Sequence, residues 1–259
     1  MPVSPTLASL AAVVWNFPLV GRTRMLAEAW AADGTPHVFV QVASYRTALE
    51  RLLAPFRAPD PVPVLRPWPG PPRKTWSRRA VSDLDASFRR AAVRLRRDLG
   101  KQIAWESTAA LVVTPAWAPW LAELPFGAVI YDCIDELDVH VAHPELRTLF
   151  AHWERMLVDR ADAAVVTAAM LDTYLKRMKP DLRTTTIRNG VDAEWFQRFA
   201  RITPRPSDLP PSDRPIIGFV GALYRWIDWA LIEHCVTALP DARFVFVGPD
   251  DGNPAIAKL

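Results

Sequence analysis

The sequence has few cysteines, no long apolar run and no complete metal-binding spacing. Its two cysteines, Cys133 and Cys235, lie far apart on segments predicted to be buried, which argues against a disulfide and favours a reducing cytoplasm. No apolar run reaches the roughly 18 residues of a membrane-spanning helix, and the N-terminus lacks the basic region of a signal peptide. These absences predict a cytoplasmic globular protein.

Apolar runs of strand length alternate with helix-length segments, and half of the residues are hydrophobic. Strands are predicted at 11–15, 37–42, 110–114, 128–132, 163–167 and 185–188. Helices are predicted at 22–32, from a cap at Ser82, and at 117–121, 145–160 and 170–178. This alternation predicts a doubly wound α/β domain over about residues 1–200.

A second domain is predicted to begin after a proline-rich linker at residues 201–214. From residue 215 an apolar run leads into a glycine turn, a helix-length segment and another apolar run, which predicts a parallel strand–helix–strand unit. Open sheets of this class usually have about four to six strands. We therefore expect the second domain, residues 215–259, to be incomplete at Leu259.

Five stretches resemble the GT-B glycosyltransferases of the large family-4 (group 1) kind, closest to the bacterial polysaccharide and teichuronic-acid type. They are residues 15–30, 129–136, 161–167, 187–192, and 217–221 with 226–228. The resemblance implies two Rossmann-like domains, with the acceptor held mainly by the first and a nucleotide-sugar donor by the second, and no further cofactor. The chain departs from the pattern at Ala168, where the family has a serine, and in lacking the downstream donor-domain motifs. We therefore expect this chain alone to be an inactive fragment.

The acidic run after the 128–132 strand is the best candidate for catalysis. Asp132, Asp135 and Glu136 follow a predicted buried strand, at the end where α/β sheets bind ligands. A carboxylate there can take the proton of an acceptor hydroxyl, so Asp135 and Asp132 are the predicted catalytic residues. Alternatively, both aspartates cap the turn through backbone amides.

Acceptor-side residues are predicted on both sides of this run. Arg22 begins a helix, where backbone amides favour anions, and is predicted to hold an anionic acceptor; a solvated first turn is the alternative. His140 and His143 either line the acceptor side or lie in a polar loop. No cysteine, histidine or carboxylate set completes a metal site with them, and we predict none.

Donor-side residues are predicted at two glycine turns. Asn189 and Gly190 form a strong turn signal near the domain crossover, either structural or approaching the donor. Gly221 belongs to the first loop of the second domain, where backbone amides can approach phosphates, and Arg225 is predicted to contact the diphosphate.

Positive charge is concentrated between Arg73 and Lys101, a segment of net charge +7 in a chain of net charge +3. An apolar stripe at helical spacing runs beside the basic residues, with Trp68 and Trp76 upstream. This pattern predicts peripheral contact with an anionic membrane surface; the alternative is an ordinary core-facing helix with a solvated basic side. No recognised nucleic-acid-binding module accompanies the charge.

Three functions follow from these patterns. The first is a glycosyltransferase that moves a sugar from a nucleotide-diphosphate-sugar to a glycan or lipid-linked acceptor in cell-envelope polysaccharide synthesis. The second is a sugar-nucleotide epimerase on the same fold. The third is a non-catalytic, truncated domain that binds an acceptor or a partner.

Overall fold

The structure, a computed structural model, describes residues 6–12, 15, 21–41, 62–67, 71, 73–99, 103–136, 144–200, 207, 209, 213–224, 226–250, 252 and 256. The chain divides into two compact units, residues 1–190 and 191–259. The predicted linker, 201–214, falls mostly outside the described residues, and its boundaries stay a prediction.

The first unit is built on a parallel sheet. Its strands are β1 (Leu7–Leu10), β2 (His37–Val40), β3 (Val64–Leu65), β4 (Ala109–Val112), β5 (Ala128–Cys133), β6 (Ala163–Val166) and β7 (Arg183–Thr186). The spatial order is β3-β2-β1-β4-β5-β6-β7, and every pairing is parallel. This confirms the predicted doubly wound α/β fold. The order reverses between β1 and β4, which is where folds of this class open a ligand crevice.

Five α-helices of the described residues connect these strands. They are α1 (Arg22–Ala32), α2 (Val81–Leu99), α3 (Ala118–Leu121), α4 (Pro144–Arg160) and α5 (Ala169–Met178). Short 3₁₀ turns lie at Arg73–Arg78, Trp105–Ser107 and Pro115–Trp117. Helix α1 has the predicted bounds and ends at Asp33-Gly34, where Gly34 takes a left-handed φ of 79° that suits glycine.

Several predicted boundaries are wrong. The first strand lies at 7–10 rather than 11–15, because the polar Ser9 is accommodated there by a 3.0 Å contact between its Oγ and His37 Nε2. Strand β7 ends at Thr186, two residues before the prediction. Helix α2 begins at Val81, and Ser82 does not cap it, because the Ala80 carbonyl accepts from the Asp83 and Leu84 amides.

Helix α2 packs its apolar stripe into the core. The buried positions include all five of the predicted stripe: Leu84, Phe88, Ala92, Leu95 and Leu99. Trp76 packs edge-on against Phe88 and Trp153, with ring centroids 5.5 and 5.3 Å apart. The stripe therefore belongs to the core, the partly buried Trp76 packs against it, and the arginine-rich side of α2 faces solvent.

The second unit contains α6 (Ala193–Ala200), β8 (Ile216–Val220), α7 (Trp229–Ala238) and β9 (Arg243–Val247). Strands β8 and β9 are parallel, as predicted. Asp192 Oδ1 accepts from the Trp195 amide at 2.8 Å, and Asp228 Oδ1 accepts from the Leu231 amide at 3.0 Å. Both aspartates thus act as helix N-caps.

Candidate functional site

The end of β5 is held on both faces of the sheet. Successive side chains of a strand point to opposite faces. The Tyr131 hydroxyl donates to Glu154 Oε1 of α4 at 2.8 Å. The next residue, Asp132, accepts from Arg22 Nε at 3.1 Å through Oδ2. This double attachment fixes the strand end that leads into the acidic run.

Arg22 joins three segments that are distant in sequence. Its Nε meets Asp132, while its Nη1 donates to the carbonyls of Ile187 and Arg188, both at 3.2 Å, and to Asn189 Oδ1 at 3.4 Å. The Arg22 side chain is only 13% exposed. The structure therefore brings together three residues that the sequence predicted for the site: Arg22, Asp132 and Asn189.

Asp132 is buried, with its side chain 1% exposed. Burial raises the pKa of Asp132, and the Arg22 guanidinium offsets part of that rise. Among the described residues its Oδ1 has no hydrogen-bond partner. This carboxylate faces a fixed guanidinium inside the protein, an arrangement suited to orienting Arg22.

Asp135 differs from Asp132 in being exposed, as is Glu136. The backbone leading to it is anchored, since Thr167 Oγ1 donates to the Ile134 carbonyl at 2.7 Å. Asp135 therefore presents a solvent-accessible carboxylate from a fixed strand end.

Two further buried residues near this strand end, Glu154 and Cys133, were not predicted as site residues from the sequence. Glu154 is 1% exposed, and both Tyr131 and Tyr174 donate hydroxyl hydrogen bonds to it. Burial raises the pKa of Cys133 to about 12, so this residue stays a neutral thiol. The sequence carries little signal for the burial of Glu154, because it lies between Trp153 and Arg155 and helices commonly carry glutamates on their solvent side.

In the second unit, two glycines let the ends of β8 and β9 approach closely. The Gly221 amide donates to the Val247 carbonyl at 3.0 Å, and a Cβ on Gly248 would lie 1.8 Å from the Gly221 carbonyl oxygen. Beyond Gly221, the ring of Trp226 is half-exposed and lies 4.8 Å from that of Tyr224. The predicted donor residue Gly221 is thus at the carboxyl end of the second sheet.

Other predicted site residues lie outside the described part of the chain, namely His140, His143 and Arg225. Gly190 is exposed, directly after the segment that Arg22 contacts. Within the described ranges, no three histidine, cysteine or acidic residues are grouped as a metal would require. The described helices include none with the length and apolarity to cross a membrane. The expected lack of a metal or other cofactor stays a prediction.

No protein-family model matches the chain. The chain is 27% identical over 147 residues to the "Putative teichuronic acid biosynthesis glycosyltransferase TuaH" of Bacillus subtilis, across 52% of this chain and 36% of that protein. Two solved structures are similar in fold. Anabaena Alr3699/HepE in complex with UDP and glucose superposes with a TM-score of 0.52 at 14% identity, over 98% of this chain and 64% of that one.

The second is the trehalose-6-phosphate structure from E. coli bound with UDP-2-fluoro glucose. Its TM-score is 0.53 at 11% identity, over 96% of this chain and 65% of that one. The fold is GT-B. This confirms the fold that the resemblance of the five sequence stretches implies. The chain spans about a third of the curated relative and less than two thirds of either solved chain.

Proposed function

We propose that this chain is part of a glycosyltransferase. The enzyme would transfer a sugar from a nucleotide-diphosphate-sugar to a glycan or lipid-linked acceptor in cell-envelope polysaccharide synthesis. One observation carries the proposal: three of the five stretches that resemble GT-B glycosyltransferases supply Arg22, Asp132 and Asn189, and Arg22 contacts both of the others at the carboxyl edge of the first sheet. The likeness to TuaH and the UDP ligands named with the two solved structures support the donor class.

Asp135 is the proposed general base. In an inverting transfer it would take the proton of the acceptor hydroxyl as that oxygen attacks the anomeric carbon. The bond from the anomeric carbon to the diphosphate oxygen breaks, and the nucleoside diphosphate leaves with the bonding electrons. Asp135 suits this role better than Asp132, because its carboxylate is exposed whereas Asp132 is buried against Arg22.

The leaving diphosphate needs hydrogen-bond donors and positive charge already in place. We propose that Gly221 and Arg225 supply these from the second unit, and that Asn189 and Gly190 approach the donor from the first. His140 and His143 are proposed for the acceptor side, where Arg22 was also predicted. Gly221 is supported by the close approach of backbone at the ends of β8 and β9.

Peripheral contact with the cytoplasmic face of an anionic membrane is proposed through the basic side of α2. Its exposed arginines are Arg89, Arg90, Arg94, Arg96 and Arg97. Since the apolar stripe is buried, the attraction would be electrostatic, at about 1 kcal/mol per basic residue near the surface.

Vesicle co-sedimentation tests this contact. Binding to phosphatidylglycerol-containing vesicles should fall in an Arg89→Gln, Arg90→Gln, Arg94→Gln variant. It should persist when Lys176, Arg177 and Arg183, three exposed basic residues of the same unit, are changed to Gln. Equal loss in both variants, or no binding by the unaltered protein, would remove the proposed surface.

Product analysis tests the transfer itself. The protein purified from its native cells and the 259-residue chain are incubated in parallel with UDP-sugars, with and without a cell-envelope glycan or lipid fraction. A transferase releases UDP and forms glycosylated product only when the acceptor fraction is present. An epimerised nucleotide-sugar without acceptor would favour the epimerase, and an absence of both products from the native protein would contradict catalysis.

A further inference from the structure

Residues 187–189, the exit segment, lie just before the chain leaves the first unit, and Arg22 donates hydrogen bonds to this segment at several points. The boundary between the compact units falls between Gly190 and Val191. Arg22 Nη1 lies within 3.4 Å of three acceptors here, the carbonyls of Ile187 and Arg188 and the Oδ1 of Asn189. All three residues are exposed. The segment is also joined to β6, since the Ile187 amide donates to the Val166 carbonyl at 2.9 Å.

The contact brings together residues far apart in sequence. Arg22 is 110 residues from Asp132 and 165 to 167 residues from the exit segment. A guanidinium is a rigid, planar fork with five N–H donors, so fixing its Nε also fixes the direction of Nη1. Asp132 accepts from Nε and is buried, which makes it the group that sets this direction. Arg22 itself begins α1, a helix that packs against β2 of the same sheet.

We propose that Arg22 is a positioning residue that fixes the exit segment 187–189 against the ends of α1 and β5, with Asp132 orienting its guanidinium. Both Nε and Nη1 of Arg22 donate to groups of the protein. The competing role is the one predicted from sequence, in which Arg22 binds an anionic acceptor. The two roles predict different behaviour of the exit segment without ligand. Only a positioning residue would protect the segment from local opening when no ligand is bound.

Native-state proteolysis reads this protection directly. Trypsin cleaves after exposed arginines once the local chain opens, so the cleavage rate after Arg188 reports the opening equilibrium of the segment. In the full chain without ligand, Arg22→Gln should accelerate cleavage after Arg188 about tenfold, as expected when a hydrogen bond to a charged donor is lost. Cleavage after Arg90 on α2, followed by mass spectrometry in the same digest, should not change.

Three further variants make the result specific. Arg22→Lys keeps the charge beside Asp132 but loses the fork, so it should give an intermediate rate. Asp132→Asn should accelerate cleavage less than Arg22→Gln, because the guanidinium stays but loses its orienting charge. Arg24→Gln is the matched control. Arg24 lies on the same helix, yet it contacts Glu28 and Trp15 and should leave the Arg188 rate unchanged.

An unchanged Arg188 cleavage rate in both Arg22→Gln and Arg22→Lys would overturn the proposal. An equal rise in Arg24→Gln would also overturn it, since the effect would then come from α1 as a whole. If Arg22→Gln fails to fold, Arg22→Lys carries the test, because it keeps the charge. An intermediate rise supports positioning, and an unchanged rate refutes it.

One consequence, for the kinetics of transfer, rests on the proposed function. It is measured separately from the proteolysis rate. The exit segment carries Asn189 and leads to Gly190, both proposed to approach the donor. Loosening it should then raise the donor KM more than it lowers kcat. Faster proteolysis of Arg22→Gln, together with no transfer by the unaltered protein purified from its native cells, would leave positioning supported and the glycosyltransferase proposal contradicted. Unchanged proteolysis with a raised acceptor KM would favour acceptor binding by Arg22.

Discussion

In the first unit, the central strands β4 and β5 are buried along most of their length, whereas every residue of β8 in the second unit is exposed. The two sheets are alike in sequence pattern, since both are built of apolar parallel strands. They differ in coverage: helices and neighbouring strands pack around β5, while β8 pairs with β9 and leaves Val220 83% exposed. An apolar strand therefore has the same sequence pattern whether or not other elements pack against it.

The difference predicts that core contacts stabilise the first unit far more than the second. Trp153 is fully buried, packs against Trp76, and donates its Nε1 hydrogen to Asp85 at 2.6 Å. Trp153→Ala should lower the free energy of unfolding by about 3–5 kcal/mol. Trp226 of the second unit is half-exposed, and Trp226→Ala should change the free energy of unfolding by less than about 1 kcal/mol. Urea titration measures the free energy of unfolding of both variants. Similar losses in the two variants would contradict the stronger contribution of core contacts in the first unit.

Buried polar groups should also stabilise the first unit more than the second, with a smaller effect on the free energy of unfolding. Glu154 accepts hydrogen bonds from Tyr131 and Tyr174 inside the first unit, so Glu154→Gln leaves at least one donor poorly paired. We expect a loss of about 1–3 kcal/mol of unfolding free energy. Glu233 on α7 is exposed, and Glu233→Gln should have little effect. If chemical denaturation shows Glu154→Gln to be neutral, this hydrogen-bond network does not contribute to stability.

A third contrast lies in pH dependence. Burial lowers the pKa of His37 to about 4. In the unfolded chain a histidine titrates near about 6.5. Between these values the unfolded state binds the extra proton, so stability is full above about pH 6.5 and falls toward pH 4, with a limiting slope of about 1.4 kcal/mol per pH unit.

His37→Asn should flatten the pH dependence of unfolding in this window, as measured by urea titration between pH 4 and 7. His234, exposed on α7, provides the control, and His234→Asn should leave the profile as it is. Superimposable profiles for His37→Asn and the unaltered protein would show that His37 is not held neutral by burial.

Local sequence signals predicted which helices and strands form better than they predicted the residues at which these elements begin and end. Helix α1 was placed correctly because a glycine turn precedes it and Asp33-Gly34 follows it. Strand β1 was misplaced because 11–15 is more apolar than 7–10, and the partner that accommodates Ser9 is on another strand. Strand β3 was missed because two residues within a proline-rich stretch carry no periodic signal.

The candidate site shows the same limit more strongly. The acidic run was found from sequence because it follows an apolar strand. The pairing of Arg22 with Asp132 has no local signal, since it depends on how β1, β4 and β5 lie side by side. Sequence reasoning named both Asp135 and Asp132 as catalytic candidates and favoured Asp135, but it could not show that Asp132 is buried and ion-paired while Asp135 is exposed.

The turnover of Asp135→Asn, compared with that of Asp132→Asn, tests the proposed chemistry most directly. In a form of the protein that transfers sugar, Asp135→Asn should lower kcat by about 10²–10⁴-fold, with donor binding and unfolding free energy nearly unchanged. Asp132→Asn should lose stability before activity, because it leaves the largely buried Arg22 without its counter-ion. Near-normal turnover and acceptor affinity in a well-folded Asp135→Asn protein would contradict the assignment of Asp135 as the base.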